Sequence, residues 1–253
     1  MAALPRKNVH LVCGGKYHDF DFARIELLKL LAELEHVRVT VGRNFSDQDA
    51  IHSADSLITY TSDLLPEESE IDGLQQFLRE GGKWFALHGT NSCLRYDKEK
   101  RCWTAPRLAP RFFNMLGSQF EAHPPIQEFS VKPSTSHALV DGIEPFATVD
   151  ELYLCRFIGE HRCLLETRYS GPTRGFEKNH WKDNGVVPVM YLHPWEDNEV
   201  LYFNLGHARS HYDMQPLIEY YDDIERGSWE QPAFAELLRR GIRWSLNELG
   251  TVQ

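Results

Sequence analysis

No apolar run in this 253-residue chain approaches the roughly 20 residues needed to span a bilayer. The opening MAALPRKNVHLVCGG leads straight into a strand-like segment. It lacks the apolar stretch of about 7–15 residues and the small-residue cleavage site of a secretory signal. We therefore expect a cytoplasmic protein with no membrane association. Basic clusters are lacking too: 27 Lys and Arg face 37 Asp and Glu, a net charge of −10, and the absence of a basic stripe argues against a nucleic-acid partner. The five cysteines, Cys13, Cys93, Cys102, Cys155 and Cys163, are scattered and form no CxxC. That excludes a disulfide framework and a thiolate zinc site, and suits a reducing compartment. GxGxxG and GxxxxGK[ST] are absent, so no nucleotide cofactor is expected. HExxH is absent as well, so any metal site has to be gathered from distant segments. Repeats, low-complexity tracts and linkers are missing, and we expect one domain over residues 1–253.

What is present is ordinary for a globular chain, 42% hydrophobic and 25% charged. Asn8–Cys13 is a short apolar run ending at Gly14-Gly15, followed by a helical pattern from Asp21 to Leu34. Within it Leu27, Leu30, Leu31 and Leu34 share one face. Val37–Val41 and Ser56–Tyr60 read as strands. Pro66 and the acids Glu67, Glu68 and Glu70 begin a helix whose apolar face is Ile71, Leu74 and Leu78 and which Gly81-Gly82 ends. Lys83–Leu87 is the next strand. Strand–helix–strand repetition of this kind predicts an α/β chain with a mostly parallel central sheet flanked by helices. The second half is less regular. Arg107–Leu116 reads as helical, Glu128–Val131 as extended, and Leu152–Ile158 with Cys163–Tyr169 as antiparallel strands. Ser170–Gly185 reads as a long loop, Val186–Leu192 and Val200–Leu205 as strands, and Pro232–Glu248 as a helix.

In such sheets ligands bind beyond the carboxyl ends of the strands, so the residues following each strand are the candidates. Lys16-Tyr17-His18-Asp19 follows the first, His88-Gly89-Thr90-Asn91 the fourth, and Gly206-His207-Ala208-Arg209 the last, with His211 close behind. Three strands thus deliver a histidine beside glycine to one edge. Each alone also reads as an ordinary loop histidine. Gly14-Gly15 either lets backbone N–H groups approach a ligand or makes a tight turn. Glu121-Ala122-His123-Pro124-Pro125 adds an imidazole and a carboxylate, and Asp150-Glu151-Leu152-Tyr153 adds two acids that also read as a turn cap. His137 shapes a loop and helical turn. Neutral imidazoles with carboxylates suit a divalent metal such as zinc or acid–base work near neutral pH. A nucleophile elbow would put its nucleophile where ALHGTNSC has His88, and Ser92 and Cys93 come too late in that turn.

CGGKYHDF, DSLITYTSD, FLREGGKWFALHGTNS, LGSQFEAHPP, SHALVDGIEPFATVDELY and VLYFNLGHARSHY together resemble the ThuA-like, trehalose-utilisation family, in the family's order, over about residues 8–247. The resemblance implies a flavodoxin-like three-layer fold related to class I glutamine amidotransferases, and a link to trehalose and other disaccharides. It also implies metal binding in some relatives, and motif positions at His18, His88, His123, Glu151 and His207. The reading that follows is an enzyme acting on a sugar or keto-sugar. His88, His207 and Glu151 would be catalytic, and Gly14, Gly15, Tyr17, His18, Asn91, Tyr153 and Arg209 would bind substrate. His88, His123 and His207 would bind a metal. Tyr17, Trp103, Tyr153, Trp181, Trp195 and Tyr212 offer faces for a pyranose. Two other readings stay open, a non-catalytic sugar-binding protein and a thiol hydrolase using Cys93. Exposed aromatic loops leave a homodimer open.

Overall fold

The computed structural model describes residues 5–182 and 185–250. Along the first half run β1 (Lys7–Gly15), α1 (Phe20–Ala32), β2 (Val37–Gly42), α2 (Gln48–His52), β3 (Ser56–Ser62), α3 (Glu68–Arg79) and β4 (Lys83–Leu87). A small hairpin, β5 (Arg95–Asp97) and β6 (Cys102–Thr104), precedes α4 (Pro110–Leu116). Then come β7 (Ser118–Ala122), β8 (Gln127–Pro133), β9 (Phe146–Asp150), β10 (Leu154–Phe157) and β11 (Arg162–Arg168). The two-residue strands β12 (Gly171–Pro172) and β13 (His180–Trp181) lead to β14 (Val186–Trp195), β15 (Asn198–Phe203) and α5 (Pro232–Ser245). Among the described residues no helix is long and apolar enough to cross a membrane.

The main sheet runs β2-β1-β3-β4-β15-β14-β11-β8-β9. From β2 to β15 the neighbours are parallel, and from β15 to β9 they are antiparallel. This is the expected flavodoxin-like arrangement. Period-two alternation sorts side chains to its two faces. In β4, Phe85 and Leu87 join the core with α1 and α5, while Trp84 and Ala86 join the core with α2, α3 and α4. The predicted helix faces are those that pack: Leu27, Leu31 and Leu34 on one side, Ile71, Leu74 and Leu78 on the other, all buried. The Asp19 carboxylate caps α1 by accepting from Phe22 N at 3.0 Å, and the Glu70 carboxylate accepts from Glu67 N at 2.8 Å at the start of α3.

Three details differ from expectation. Helix α4 begins at Pro110 rather than at Arg107, because a residue preceding proline is held out of the helical region. Leu154–Phe157 and Arg162–Arg168 do not pair with each other. β10 pairs with β7, and β11 lies between β14 and β8. The cause is a separate apolar cluster in which Cys155 and Tyr153 meet Phe120, Ala122 and Phe176. The expected loop Ser170–Gly185 carries the short β12–β13 pair, with residues 183 and 184 outside the described residues.

Sheet order reverses at β1, which has β2 on one side and β3 on the other, and a crevice forms at the carboxyl ends beside such a switch point. The edge strand β9 ends nearby as well, since its last residue, Asp150, accepts from Gly206 N just past β15. The antiparallel half therefore curls back over the carboxyl ends of the parallel half, and this brings Glu151 to the histidines.

Candidate metal centre and pocket

His18, His88, Glu151 and His207 are all buried, and one donor atom from each lies within 4.8 Å of the others. Each imidazole is oriented by an acceptor behind it. His88 Nδ1 sits 2.9 Å from the carbonyl of Asn204, and His18 Nδ1 sits 3.3 Å from the carbonyl of Lys16. A carbonyl only accepts, so in each neutral ring Nδ1 carries the proton and Nε2 presents a lone pair. The two Nε2 atoms face each other at 2.8 Å. Two lone pairs at that distance repel unless a proton or a cation lies between them. His207 is turned the other way: Nε2 is 2.7 Å from a Glu225 carboxylate oxygen, and the buried Nδ1 has no hydrogen-bond partner. Glu151 Oε2 completes the group, 3.5 Å from His18 Nε2, 3.6 Å from His88 Nε2 and 3.4 Å from His207 Nδ1.

These donors can hold a divalent cation. Three neutral imidazoles and a carboxylate are a zinc-type set. Metal–ligand bonds of about 2.0–2.1 Å in a tetrahedron put donors about 3.4 Å apart, close to the separations from Glu151, while the Nε2 atoms of His18 and His88, at 2.8 Å, would have to part slightly. The carbonyls and the Glu225 carboxylate behind the rings are the orienting partners that metal-ligating histidines use. Charge is arranged to match. Burial pushes the pKa of His18 down to about 3, so that ring is neutral. Burial also opposes charge on His207, but Glu151 and Glu225 outweigh it and raise its pKa to about 9. Without a cation, a proton on His207 takes the place of one. Burial disfavours charge on Glu151, and the pull of His123 and His207 outweighs it and holds its pKa well below the usual carboxylate range.

The backbone supports these placements. His88 has φ +44°, a left-handed conformation uncommon outside glycine, at the first residue after β4. The Tyr202 hydroxyl donates to its carbonyl, and the Tyr60 ring lies parallel to its imidazole at 5.9 Å. Asp150 is fully buried and holds the opposite wall. It accepts from Glu151 N at 2.7 Å, Gly206 N at 3.0 Å, His207 N at 3.2 Å, and Ser228 N and Oγ at 2.8 and 2.5 Å. The two acids of the Asp-Glu pair thus divide their work, Asp150 to the backbone and Glu151 to the site.

Above the cluster opens a mainly apolar pocket walled by Tyr17, Trp103, Phe120, Tyr153, Phe176 and Leu217. His123 stands at its edge, partly exposed, on the far side of the Glu151 carboxylate: Nε2 is 3.2 Å from Glu151 Oε1 rather than among the four converging donors. Its Nδ1 lies 2.7 Å from the carbonyl of Pro124, so each ring nitrogen has an acceptor oxygen beside it. Arg209 lines the same pocket, with Nη2 3.6 Å from Glu151 Oε1 and Nη1 2.8 Å from Glu225 Oε2.

Other expected residues lie elsewhere. Gly14 and Gly15 border a separate depression beside α1, and close backbone approach explains them: a Cβ on either would come within 2.0 Å of a carbonyl oxygen, of Arg43 or Ser62. Asn91 is buried beneath the site, donating to Ser118 Oγ at 2.5 Å. Trp181, Trp195 and Tyr212 do not line the pocket, and Trp195 instead packs under Arg79. His211 donates to the carbonyl of Tyr221, and His137 accepts from Leu139 N, as loop histidines do. Cys93 is packed in the core with α3 and α4 and does not line the pocket, and burial raises its thiol pKa. Glu225 was not among the expected residues. It sits in an acidic, irregular stretch with no motif to mark it.

The sequence profile of ThuA, described as trehalose utilisation, matches residues 8–221. A solved protein described as ThuA-like from Parabacteroides merdae superposes with a TM-score of 0.69 at 16% identity, over 98% of this chain and 92% of its own. One from Bacteroides uniformis gives 0.66 at 19% identity, over 99% and 96%. A protein described as a GMP synthase component from Thermoplasma acidophilum gives 0.50 at 10% identity, over 97% and 96%, a likeness of fold alone. No curated protein matches the sequence.

Proposed function

This chain belongs to the ThuA, trehalose-utilisation family, and on that premise we propose that it is an enzyme acting on trehalose or a related disaccharide or keto-disaccharide, by histidine- and metal-assisted hydrolysis or isomerisation. A carbohydrate-related role follows from the family. The chemistry is our reading, and the observation that carries it is the convergence of three ring nitrogens and a carboxylate oxygen beneath an apolar-walled pocket that His18 and Glu151 line. In this reading His18, His88, Glu151 and His207 hold a divalent cation such as zinc. When bound, that cation supplies Lewis-acid polarisation of a substrate oxygen.

The remaining work falls to side chains of the chain itself. His123, partly exposed at the pocket edge, exchanges a proton between Nε2 and a sugar hydroxyl or water. Glu151 Oε1, 3.2 Å away, steadies the charged form of that ring. Trp103, Phe176 and Tyr153 cover the apolar face of a sugar ring and exclude water, which strengthens the polar contacts at the floor. Arg209 is largely committed to Glu225 and to the carbonyl of Tyr17, so among the described residues the pocket presents no unpaired cation for an anionic substrate and suits a neutral sugar.

The test combines metal analysis of the purified protein with turnover of trehalose and its 3-keto form. The reading expects about one metal ion per chain, lost in His88→Ala and His207→Ala, and turnover that falls by about 10²–10⁴ in His123→Ala with the metal retained. Metal-free protein with undiminished turnover removes the metal, and saturable sugar binding without turnover makes the protein a binding module.

A further inference from the structure

We propose that Glu225 is the positioning residue that fixes the tautomer of His207, and with it the fourth donor of the cluster. The inference rests on reading His18, His88, Glu151 and His207 as a cation site. Glu225 lies outside residues 8–221, the stretch that the family profile covers.

His207 stands between two carboxylates. Glu225 Oε2 is 2.7 Å from Nε2, and Glu151 Oε2 is 3.4 Å from Nδ1. A neutral imidazole has one proton to place, and each carboxylate draws it to its own side. The shorter contact wins: once a cation has taken the place of the second proton, the one that remains stays on Nε2, and the buried Nδ1 turns its lone pair to the cluster. Without the Glu225 carboxylate, Glu151 draws the proton to Nδ1. That one shift removes the His207 donor and ties up Glu151 Oε2 as an acceptor, so two of the four donors are lost together.

Glu225 is built to resist that shift. Arg209 Nη1 donates to the same Oε2 at 2.8 Å, and the Tyr221 hydroxyl donates to Oε1 at 3.0 Å. The backbones of Arg209 and Glu225 exchange two hydrogen bonds of 2.9 Å. Arg209 also reaches toward Glu151 Oε1, so one guanidinium spans the two carboxylates that compete for the ring. The carboxylate is therefore held in place before any cation arrives.

The experiment is calorimetric titration of the full chain, freed of metal, with zinc alone. Glu225→Gln keeps the size of the side chain and removes its charge. It is expected to weaken zinc binding by about 10–100-fold, while Glu225→Asp recovers part of the loss and the thermal unfolding midpoint of the metal-free Gln variant stays near that of the wild type. Nitrogen-15 spectra of the zinc-loaded wild type are expected to show His207 bound through Nδ1 and protonated at Nε2. Zinc affinity of Glu225→Gln equal to the wild type overturns the proposal and leaves the cation site standing. A wild type that binds no zinc overturns the site, and the proposal with it.

Discussion

Replacing Asp150 with asparagine changes one atom in a fully buried side chain that anchors both walls of the site. Five donors converge on this carboxylate: Gly206 N, Ser228 N and Ser228 Oγ on Oδ2, and Glu151 N and His207 N on Oδ1. An amide has one oxygen. Its best placement keeps the oxygen on the Oδ2 side, with three donors, and turns its NH₂ toward the N–H groups of Glu151 and His207. Each of those loses a hydrogen bond to a charged acceptor, about 1.5–3 kcal/mol, and is left buried and unpaired. The expected loss is about 4 kcal/mol, which for a chain of this size lowers the melting midpoint by roughly 8–16 °C. Thermal unfolding followed by circular dichroism, with urea denaturation alongside and chelator present in both, measures it. A midpoint within about 2 °C of the wild type would refute the assignment of Asp150 as the anchor. Loosened placement of Glu151 and His207 should also weaken zinc binding, so stability and affinity are expected to fall together.

Three further outcomes follow from the same structure. Zinc at about 100 times its dissociation constant should stabilise the wild type by about 2.7 kcal/mol and leave His18→Ala unmoved, and an equal thermal shift in that variant would contradict the donor set. Gly15→Ala should destabilise by about 2 kcal/mol or more, because φ is +127° and the new Cβ would stand 2.0 Å from the carbonyl oxygen of Ser62; a loss below about 0.5 kcal/mol in urea would show that the turn yields. His10 lies away from the site, with its ring on Thr40 Oγ1 at 2.7 Å and Nε2 buried without a partner. Burial, against a smaller opposing pull from Asp47, lowers its pKa in the folded state. The unfolded chain therefore takes up the proton first as pH falls through about 6.5, and stability is present above that pH and lost below it. Urea midpoints at pH 7 and pH 5 should show a smaller decline in His10→Gln than in the wild type, and equal declines would count against a buried neutral ring.

The parallel half of the fold is legible because its signals are local. Strand runs, helix faces such as Ile71, Leu74 and Leu78, and the stop at Gly81-Gly82 each report on residues a few positions apart. The antiparallel half is harder to read because its pairings depend on competition between distant partners. Leu154–Phe157 carries the pattern of a strand, but nothing within it says that its neighbour is Ser118–Ala122 rather than Arg162–Arg168. The apolar cluster that decides this draws Phe120 and Phe176 from segments far away in sequence.

The site divides along the same line, for a chemical reason. His18, His88 and His207 stand just past strands of the parallel half, where the fold itself says side chains will gather, so their delivery to one edge of the sheet could be anticipated. What orients them could not. Two of the partners are main-chain carbonyls, of Lys16 and Asn204, which every residue possesses and no sequence pattern marks. The third, Glu225, is one acid among several in an irregular stretch and differs from Asp222 and Asp223 only in facing His207. Residue identity thus locates the donors, whereas the direction in which each ring presents its lone pair is set by groups that identity does not reveal. A functional reading of the three histidines therefore turns on the orienting groups, and Glu225 is the one of these that a single substitution can remove without rebuilding the backbone.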